Sequence, residues 1–252
     1  MWTWVAASVR GTSHERTGTR RQDAFRCSSV GNGGTLVAVA CDGAGSASRG
    51  GEGASLVARR LSLAAEAHLR TSTDLPSDEL VGDWIDSVRD LIAAAAERRG
   101  LRPRDFATTL VMVVAMPGRT LTIHVGDGAA VGRLTDDCRW VSLSWPENGE
   151  FASTTFFVTD DVEVRLRIER TDRDFDRIAV MTDGIERLAL DLAGGVPHGP
   201  FFQGISEPVA TSVIAGRDGA LCRKLAQYLS SDAINARTDD DKTLIVASRR
   251  GT

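Results

Sequence analysis

Apolar and polar positions along the chain keep two rhythms. Residues 2–10, 23–28 and 35–41 carry the dense or alternating apolar pattern of strands. A polar loop, 11–21, separates the first two, and Asn32-Gly33-Gly34 reads as a hairpin turn before the third. Beyond a Gly-rich link at 43–53, apolar residues recur at helical spacing over 54–70 and over 77–99. Ser77 stands where it would cap the second helix, and Gly100 and Pro103 where they would end it. Strand patterns return at 106–115, 120–125, 129–134 and 140–143, with turns at Pro117-Gly118 and Gly126-Asp127-Gly128. A loop at 144–153 precedes an expected hairpin of 154–159 and 162–168 around Asp160-Asp161, and then a buried strand at 178–182. The Gly- and Pro-rich stretch 191–218 shows no usable period; 220–229 reads as a helix and 243–248 as a closing strand. Helices segregated from runs of hairpins predict an α+β layered sandwich rather than a parallel doubly wound sheet.

Composition narrows the picture. With 252 residues, 42% apolar and 25% charged, the chain can bury a core without disulfides or a structural metal. No linker or internal repeat divides it, so one domain over 1–252 is expected. A formal net charge of -4, with basic and acidic residues interspersed, leaves no basic stripe and argues against nucleic acid as the main partner. Cys27, Cys41, Cys138 and Cys222 show no CxxC or zinc-type spacing and read as reduced thiols. No run approaches the roughly 18–20 apolar residues of a membrane span. The first residues, MWTWVAASVRGTSHERTG, lack the basic and apolar regions of an export signal and read as a first strand. A cytoplasmic protein without membrane attachment is expected.

The chemistry is carried by aspartates. Asp23, Asp42, Asp183 and Asp240 each sit where an apolar run meets a turn, most clearly in VAVACDGAG (37–45) and IAVMTDGIE (178–186). A carboxylate there stands at the rim of a buried sheet, and the following Gly permits a tight turn. Carboxylates converging on one rim repel one another unless a cation lies between them, and hard divalent ions occupy all-oxygen sites. For Asp127-Gly128, between two strands, turn and ligand readings stand even. Asp218-Gly219 follows no apolar run and reads as a turn, as does Asn148-Gly149. Two look-alikes fail. Asp239-Asp240-Asp241-Lys242-Thr243 matches the DxDxT of haloacid dehalogenase-type phosphatases, but no buried strand precedes it. Asp172, Asp174 and Asp176 imitate an EF-hand start, but the sixth position is Arg177 and the twelfth Asp183.

Taken in order, RRQDAF, ACDGAGSA, FATTLVMVV, IHVGDGAAV, VMTDGIERL and DDKTLIV resemble the metal-dependent protein phosphatases of type 2C, in a bacterial branch, over nearly the whole chain. The resemblance implies a four-layer α-β-β-α sandwich of two antiparallel sheets flanked by helices, with two Mn²⁺ or Mg²⁺ ions at one edge. By that resemblance Asp42 bridges both ions, the Gly43 carbonyl binds the first, Asp183 and Asp240 hold the second, and Asp23 acts largely through water. Gln22 stands where the family often has Glu. Thr108 and Thr109 match a structural motif of the sheet core. The activity implied is hydrolysis of phosphoserine and phosphothreonine in proteins. Two cations neutralise the phosphate oxygens and activate a water, so no Ser, Cys or His nucleophile is needed. Phosphoproteins and a cognate Ser/Thr kinase are the partners implied.

Two positions depart from the pattern. The family's phosphate-gripping Arg, four residues before the Glu-Asp pair, is here Gly18, for which Arg16, Arg20, Arg21 or His14 would substitute; His14 is the candidate substrate-binding residue. A third metal would use Asp127 with Asp183, but the Asp expected four residues beyond Asp183 is Arg187, whose charge opposes it, with Glu186 adjacent. Residues 144–161 are expected to form a flap beside the site. Gly18 and Arg187 keep open a non-catalytic phosphoprotein-binding module, and a phosphatase of small phosphomonoesters is the other rival.

Overall fold

Seven residues that are buried without a gap, Thr35–Cys41, show how the layers arise. Leu36, Ala38 and Ala40 face one apolar cluster while Val37, Val39 and Cys41 face another, so both sides of this strand are covered. A computed structural model of the protein describes residues 1–147, 155–160 and 164–250. The first half runs β1 (Trp2–Val9), α1 (Thr12–Thr17), β2 (Ala24–Val30), β3 (Thr35–Cys41), α2 (Gly50–Thr71), α3 (Asp78–Glu97), β4 (Leu110–Met116) and β5 (Arg119–Val125). There follow β6 (Ala129–Leu134), β7 (Trp140–Ser144), β8 (Arg167–Thr171), β9 (Phe175–Met181), α4 (Glu186–Ala189), β10 (Leu190–Asp191) and β11 (Val196–Pro197). The chain continues through α5 (Gly199–Ala210), β12 (Gly216–Arg217), α6 (Gly219–Leu229), α7 (Asp232–Asn235) and β13 (Lys242–Arg249).

Two sheets face each other, one ordered β12-β1-β13-β9-β6-β7 and the other β2-β3-β4-β5-β8. Between them lie Trp2, Trp4, Leu36, Val113, Phe175 and Ile245. α2 lies on the outer face of the second sheet through Val57, Ala58, Leu61 and Ala65, with α3 beside it. α5 and α6 cover the outer face of the first through Phe202, Val209, Cys222 and Leu225. This is the four-layer α-β-β-α sandwich. Its pairings are antiparallel except at one edge, where β12 runs parallel to β1.

Register places the site. Ala24 opposes Cys41 in β2–β3, Leu244 opposes Met181 in β13–β9, and Ala129 opposes Met181 in β6–β9. The residues just outside these pairs, Asp23 and Asp42, Asp240 and Asp183, and Asp127, therefore emerge at the same end of the sandwich.

Four sequence expectations change. The polar loop at 11–21 contains α1, which buries no side chain and so gives no apolar period; it is tied down instead by Ser13, whose backbone N–H and hydroxyl both donate to the Asp239 carbonyl, at 2.9 and 2.7 Å. The link at 43–53 is already helical from Gly50, its glycines hiding the period. The strand expected at 106–115 begins at Leu110, after a 3-10 turn over Pro103–Phe106. The hairpin of 154–159 and 162–168 does not form among the described residues: β8 starts only at Arg167 and pairs with β5, while 154 and 161–163 lie outside them. The turn at Asn148-Gly149 also lies outside. Asp218 is the N-cap of α6, its carboxylate accepting from Ala220 and Leu221 N–H. Asp174 and Asp176 pair with Arg249 and Arg133, as structural ties rather than calcium ligands.

A buried polar clasp joins the sheets at their β7–β8 edge. His124 Nδ1 meets the Ser144 hydroxyl at 2.6 Å and accepts from Arg167 at 2.7 Å, while Arg167 also donates to the Trp145 carbonyl. Burial, then the Arg167 charge, pushes the His124 pKa down to about 3. The folded state thus binds fewer protons at this residue than the unfolded chain, so its contribution is complete above about 6.5 and is lost as pH falls toward 3. Each pH unit in that window removes up to about 1.4 kcal/mol. His124→Gln, which cannot titrate, is expected to flatten the fall in melting temperature between pH 6.5 and 4.5; an unchanged slope would assign acid sensitivity elsewhere.

Candidate active site

Asp23, just before β2, is 4% exposed and its Oδ2 accepts from Thr182 Oγ1 at 2.8 Å and Thr243 Oγ1 at 2.6 Å. Its Oδ1 is buried without a hydrogen-bond partner. The Asp42 carboxyl lies close enough to Asp23 for the two to interact. Asp42 itself is fixed through its backbone: its N–H donates to Thr109 Oγ1, and its carbonyl accepts from Thr109 N and Thr108 Oγ1. That is the structural duty of Thr108-Thr109. Gly43 is pressed on the start of α2, where a Cβ would lie 2.2 Å from the Gly50 carbonyl carbon. Asp183 opens a short 3-10 turn after β9, and Gly184 behind it lets the chain close on Asp241, whose carbonyl oxygen would be 1.8 Å from a Cβ there. The turn holds because position 184 is Gly.

Burial raises the Asp23 carboxyl to about 6. Asp42 is raised well above the usual range by burial, then by the charges of Asp23, Asp183 and Asp240. Asp183 is raised by burial, then by Asp127, Asp240, Asp23 and Glu186. Among the described residues none of Asp23, Asp42, Asp127, Asp183 and Asp240 forms an ion pair. A cluster of buried carboxylates without a counter-charge is costly, and two of its oxygens, Asp23 Oδ1 and Asp127 Oδ1, lack any partner. Hard oxygen donors with uncompensated charge fit divalent cations such as Mg²⁺ or Mn²⁺. Among the described residues no three His, Cys, Asp or Glu side chains are drawn together into a complete ligand group, so the fit is one of donor chemistry and charge.

Asp127 keeps one carboxylate oxygen on Thr155 Oγ1 at 2.6 Å, and its charge is felt by both Asp183 and Glu186. Arg187 acts on Glu186 in the opposite sense. A cleft of about 390 Å³ opens along Asp183, Glu186, Arg187, Arg237 and Asp240. It sets two exposed guanidinium groups beside the carboxylates.

Asp241 is the residue that sequence reading passed over. It is 2% exposed, accepts from Gly11 N at 2.7 Å and Gln22 N at 2.5 Å, and faces His14 Nδ1 at 3.0 Å, close enough for an ion pair but outside hydrogen-bond geometry. It thereby locks the segments leading into α1 and into Asp23. Strand alternation was the available signal: at the mouth of β13 adjacent residues point opposite ways, so only one of Asp240 and Asp241 turns inward to the chain. Asp239 is exposed and pairs with Arg16. Lys242, fully buried, donates to the Asp240 carbonyl and to Asn235 Oδ1, and burial lowers its pKa.

Residues 10–230 match the family described as Protein phosphatase 2C, a span that includes Asp23, Asp42, Asp127 and Asp183 and stops before Asp240. Over 250 residues, 98% of this chain and 98% of the relative, the sequence is 36% identical to serine/threonine-protein phosphatase 3 of Escherichia coli strain K12. A bacterial serine phosphatase structure superposes with a TM-score of 0.66 at 14% identity, covering 99% of this chain and 98% of the other. A serine/threonine phosphatase of Staphylococcus aureus gives 0.65 at 15% identity over 100% and 96%. The Mycobacterium tuberculosis serine/threonine phosphatase gives 0.63 at 16% over 99% of each chain. At such identities the structural likeness speaks to the fold.

Proposed function

The chain is a serine/threonine phosphatase of the protein phosphatase 2C family, and we propose that it works as one domain over 1–252, releasing phosphate from phosphoserine and phosphothreonine in proteins with two Mn²⁺ or Mg²⁺ ions. The observation that carries this reading is the set of unpaired carboxylates at one end of both sheets. Asp42, the Gly43 carbonyl, Asp183 and Asp240 would hold the two ions, and Asp127 with Asp183 a weaker third that Arg187 opposes. Bound there, the cations supply charge neutralisation of the phosphate and a lowered pKa for water.

The chain's own groups do the rest. Thr182 and Thr243 occupy one oxygen of Asp23, which leaves Oδ1 to orient a water or take its proton. His14, held against Asp241, presents its other ring nitrogen to a phosphate oxygen. Arg187 and Arg237 line the cleft beside Asp183 and Asp240, and would supply the guanidinium charge that Gly18 does not. Among the described residues no helix is long and apolar enough to cross a membrane, and we place the protein in the cytoplasm, acting on phosphoproteins made by a cognate Ser/Thr kinase.

Hydrolysis of a phosphothreonine peptide is expected to be absent in EDTA and restored by excess Mn²⁺. The same addition is expected to raise the melting temperature, since an ion at about 100 times its Kd stabilises by about 2.7 kcal/mol. Stabilisation without turnover would favour the phosphoprotein-binding module, for which Gly18 and Arg187 speak. Turnover of small phosphate esters but of no phosphopeptide would favour the third reading.

A further inference from the structure

A second opening, of about 960 Å³, adjoins the carboxylate rim and is not used by the chemistry above. It shares Gln22 and Gly50 with the rim: Gln22 immediately precedes Asp23, and Gly50 is the residue on which Gly43 is pressed. Its wall carries Arg20, Arg21, Arg26, Arg49, Arg59 and Arg60 against one acid, Glu52. In a chain of net charge -4 this concentration does not follow from composition. Glu52 is already engaged by Arg49 and Arg99, and Arg21 donates to the Ser8 and Asp23 carbonyls. Arg20, Arg26, Arg59 and Arg60 are exposed and have no carboxylate partner among the described residues.

The start of α2 opens into the same space. Gly50 and Gly51 line it, and Arg49 provides no side-chain cap. The positive end of a 22-residue helix thus faces the guanidinium wall, its Gly50, Glu52 and Gly53 N–H groups already donating to the Ala47 and Arg49 carbonyls. Guanidinium forks grip phosphate by paired hydrogen bonds more effectively than carboxylate, because the phosphate offers three acceptor oxygens and nearly two charges.

We propose that this pocket is a substrate-specificity subsite that binds a second phosphorylated residue of the same phosphoprotein while the first occupies the carboxylate rim. This rests on the phosphatase reading and extends it from a reaction to a substrate class: segments phosphorylated at two neighbouring positions. Arg59 and Arg60 on α2 and Arg26 on β2 are its specificity residues, remote from the reacting phosphate.

The test compares three short peptides: a phosphothreonine with neutral flanks, the same peptide with a phosphoserine placed within about four residues, and one with Glu in its place. The doubly phosphorylated peptide is expected to show a KM roughly tenfold lower than the neutral one, with the Glu peptide between them, an advantage of about 1.4 kcal/mol that weakens with salt. Arg59→Glu combined with Arg60→Glu should erase the KM difference and leave kcat and p-nitrophenyl phosphate turnover unchanged; Arg26→Gln, a milder change on another element, should reduce it. Equal KM values for the three peptides, or a difference that survives both variants, would overturn the subsite. A Glu peptide matching the doubly phosphorylated one would overturn its preference for phosphate. Failure on p-nitrophenyl phosphate with Mn²⁺ present would instead strike at the catalytic reading, so the two outcomes stay separable.

Discussion

Asp183→Ala is expected to lower phosphopeptide turnover by a factor on the order of a thousand or more and, in the same protein, to raise the melting temperature measured in EDTA. The two effects have one origin. Asp183 lies in a field of four other acids, and burial together with Asp127, Asp240, Asp23 and Glu186 raises its pKa. Without a cation, burial of that charge and its repulsion from the other acids both weigh on the folded state. Removing the carboxylate relieves both, so the melting temperature in EDTA should rise. On the proposed site the substitution would also remove a donor to the cations that offset the repulsion, so the Mn²⁺-induced rise in melting temperature should shrink along with turnover. Asp42→Ala is expected to behave alike, since its backbone remains held by Thr108 and Thr109. Steady-state kinetics and thermal melts with and without Mn²⁺ measure both arms. Near-normal turnover in either variant would remove these residues from the site.

Asp241→Ala should do the reverse and damage the fold first. Its carboxylate satisfies two buried backbone donors, Gly11 N and Gln22 N, from inside the protein. Truncation leaves both N–H groups without an acceptor and opens a small void, together a loss of about 3–5 kcal/mol. Asp241→Asn keeps the shape but turns one acceptor into a donor that faces an N–H, so it should recover little. Because Gln22 precedes Asp23, the loosened segment should also lower kcat at temperatures where the variant is still folded, with little change in Mn²⁺ affinity. A denaturation midpoint close to that of the unsubstituted protein would contradict this account.

These two aspartates also mark how far the sequence could be read. Asp42 and Asp183 were legible because each ends an uninterrupted apolar run, and a residue at the end of a buried strand has only the rim to occupy. That Asp23 and Asp240 reach the same rim depends on which strands pair, and the order of motifs conveyed it only through family resemblance. Asp241 was hidden inside Asp239-Asp240-Asp241, where three identical side chains have three fates: exposed with Arg16, at the rim, and buried on backbone N–H groups. Charge does not separate them; direction does. α1 escaped notice because it is held by contacts to 239–241 and not by an apolar stripe. α5 lay in a stretch whose Gly199, Pro200, Gly204 and Pro208 broke the period, although Phe202 and Val209 are buried under the sheet. The two long helices, whose buried positions repeat at three and four residues, were legible nearly to their ends.

β1 and β13 lie side by side in the interior of the six-stranded sheet, matched residue for residue from Trp2–Arg249 to Val9–Lys242. Neighbours in space are here separated by more than two hundred residues of chain, so this part of the sheet closes only when β13 arrives. During synthesis, which proceeds at about 5–20 residues per second, β1 must wait roughly ten seconds or more for its partner. Asp240 arrives with that strand. On the proposed site, a chain still short of β13 would carry an unfinished rim, and the capacity to strip phosphates would appear only after nearly all of these residues have been made.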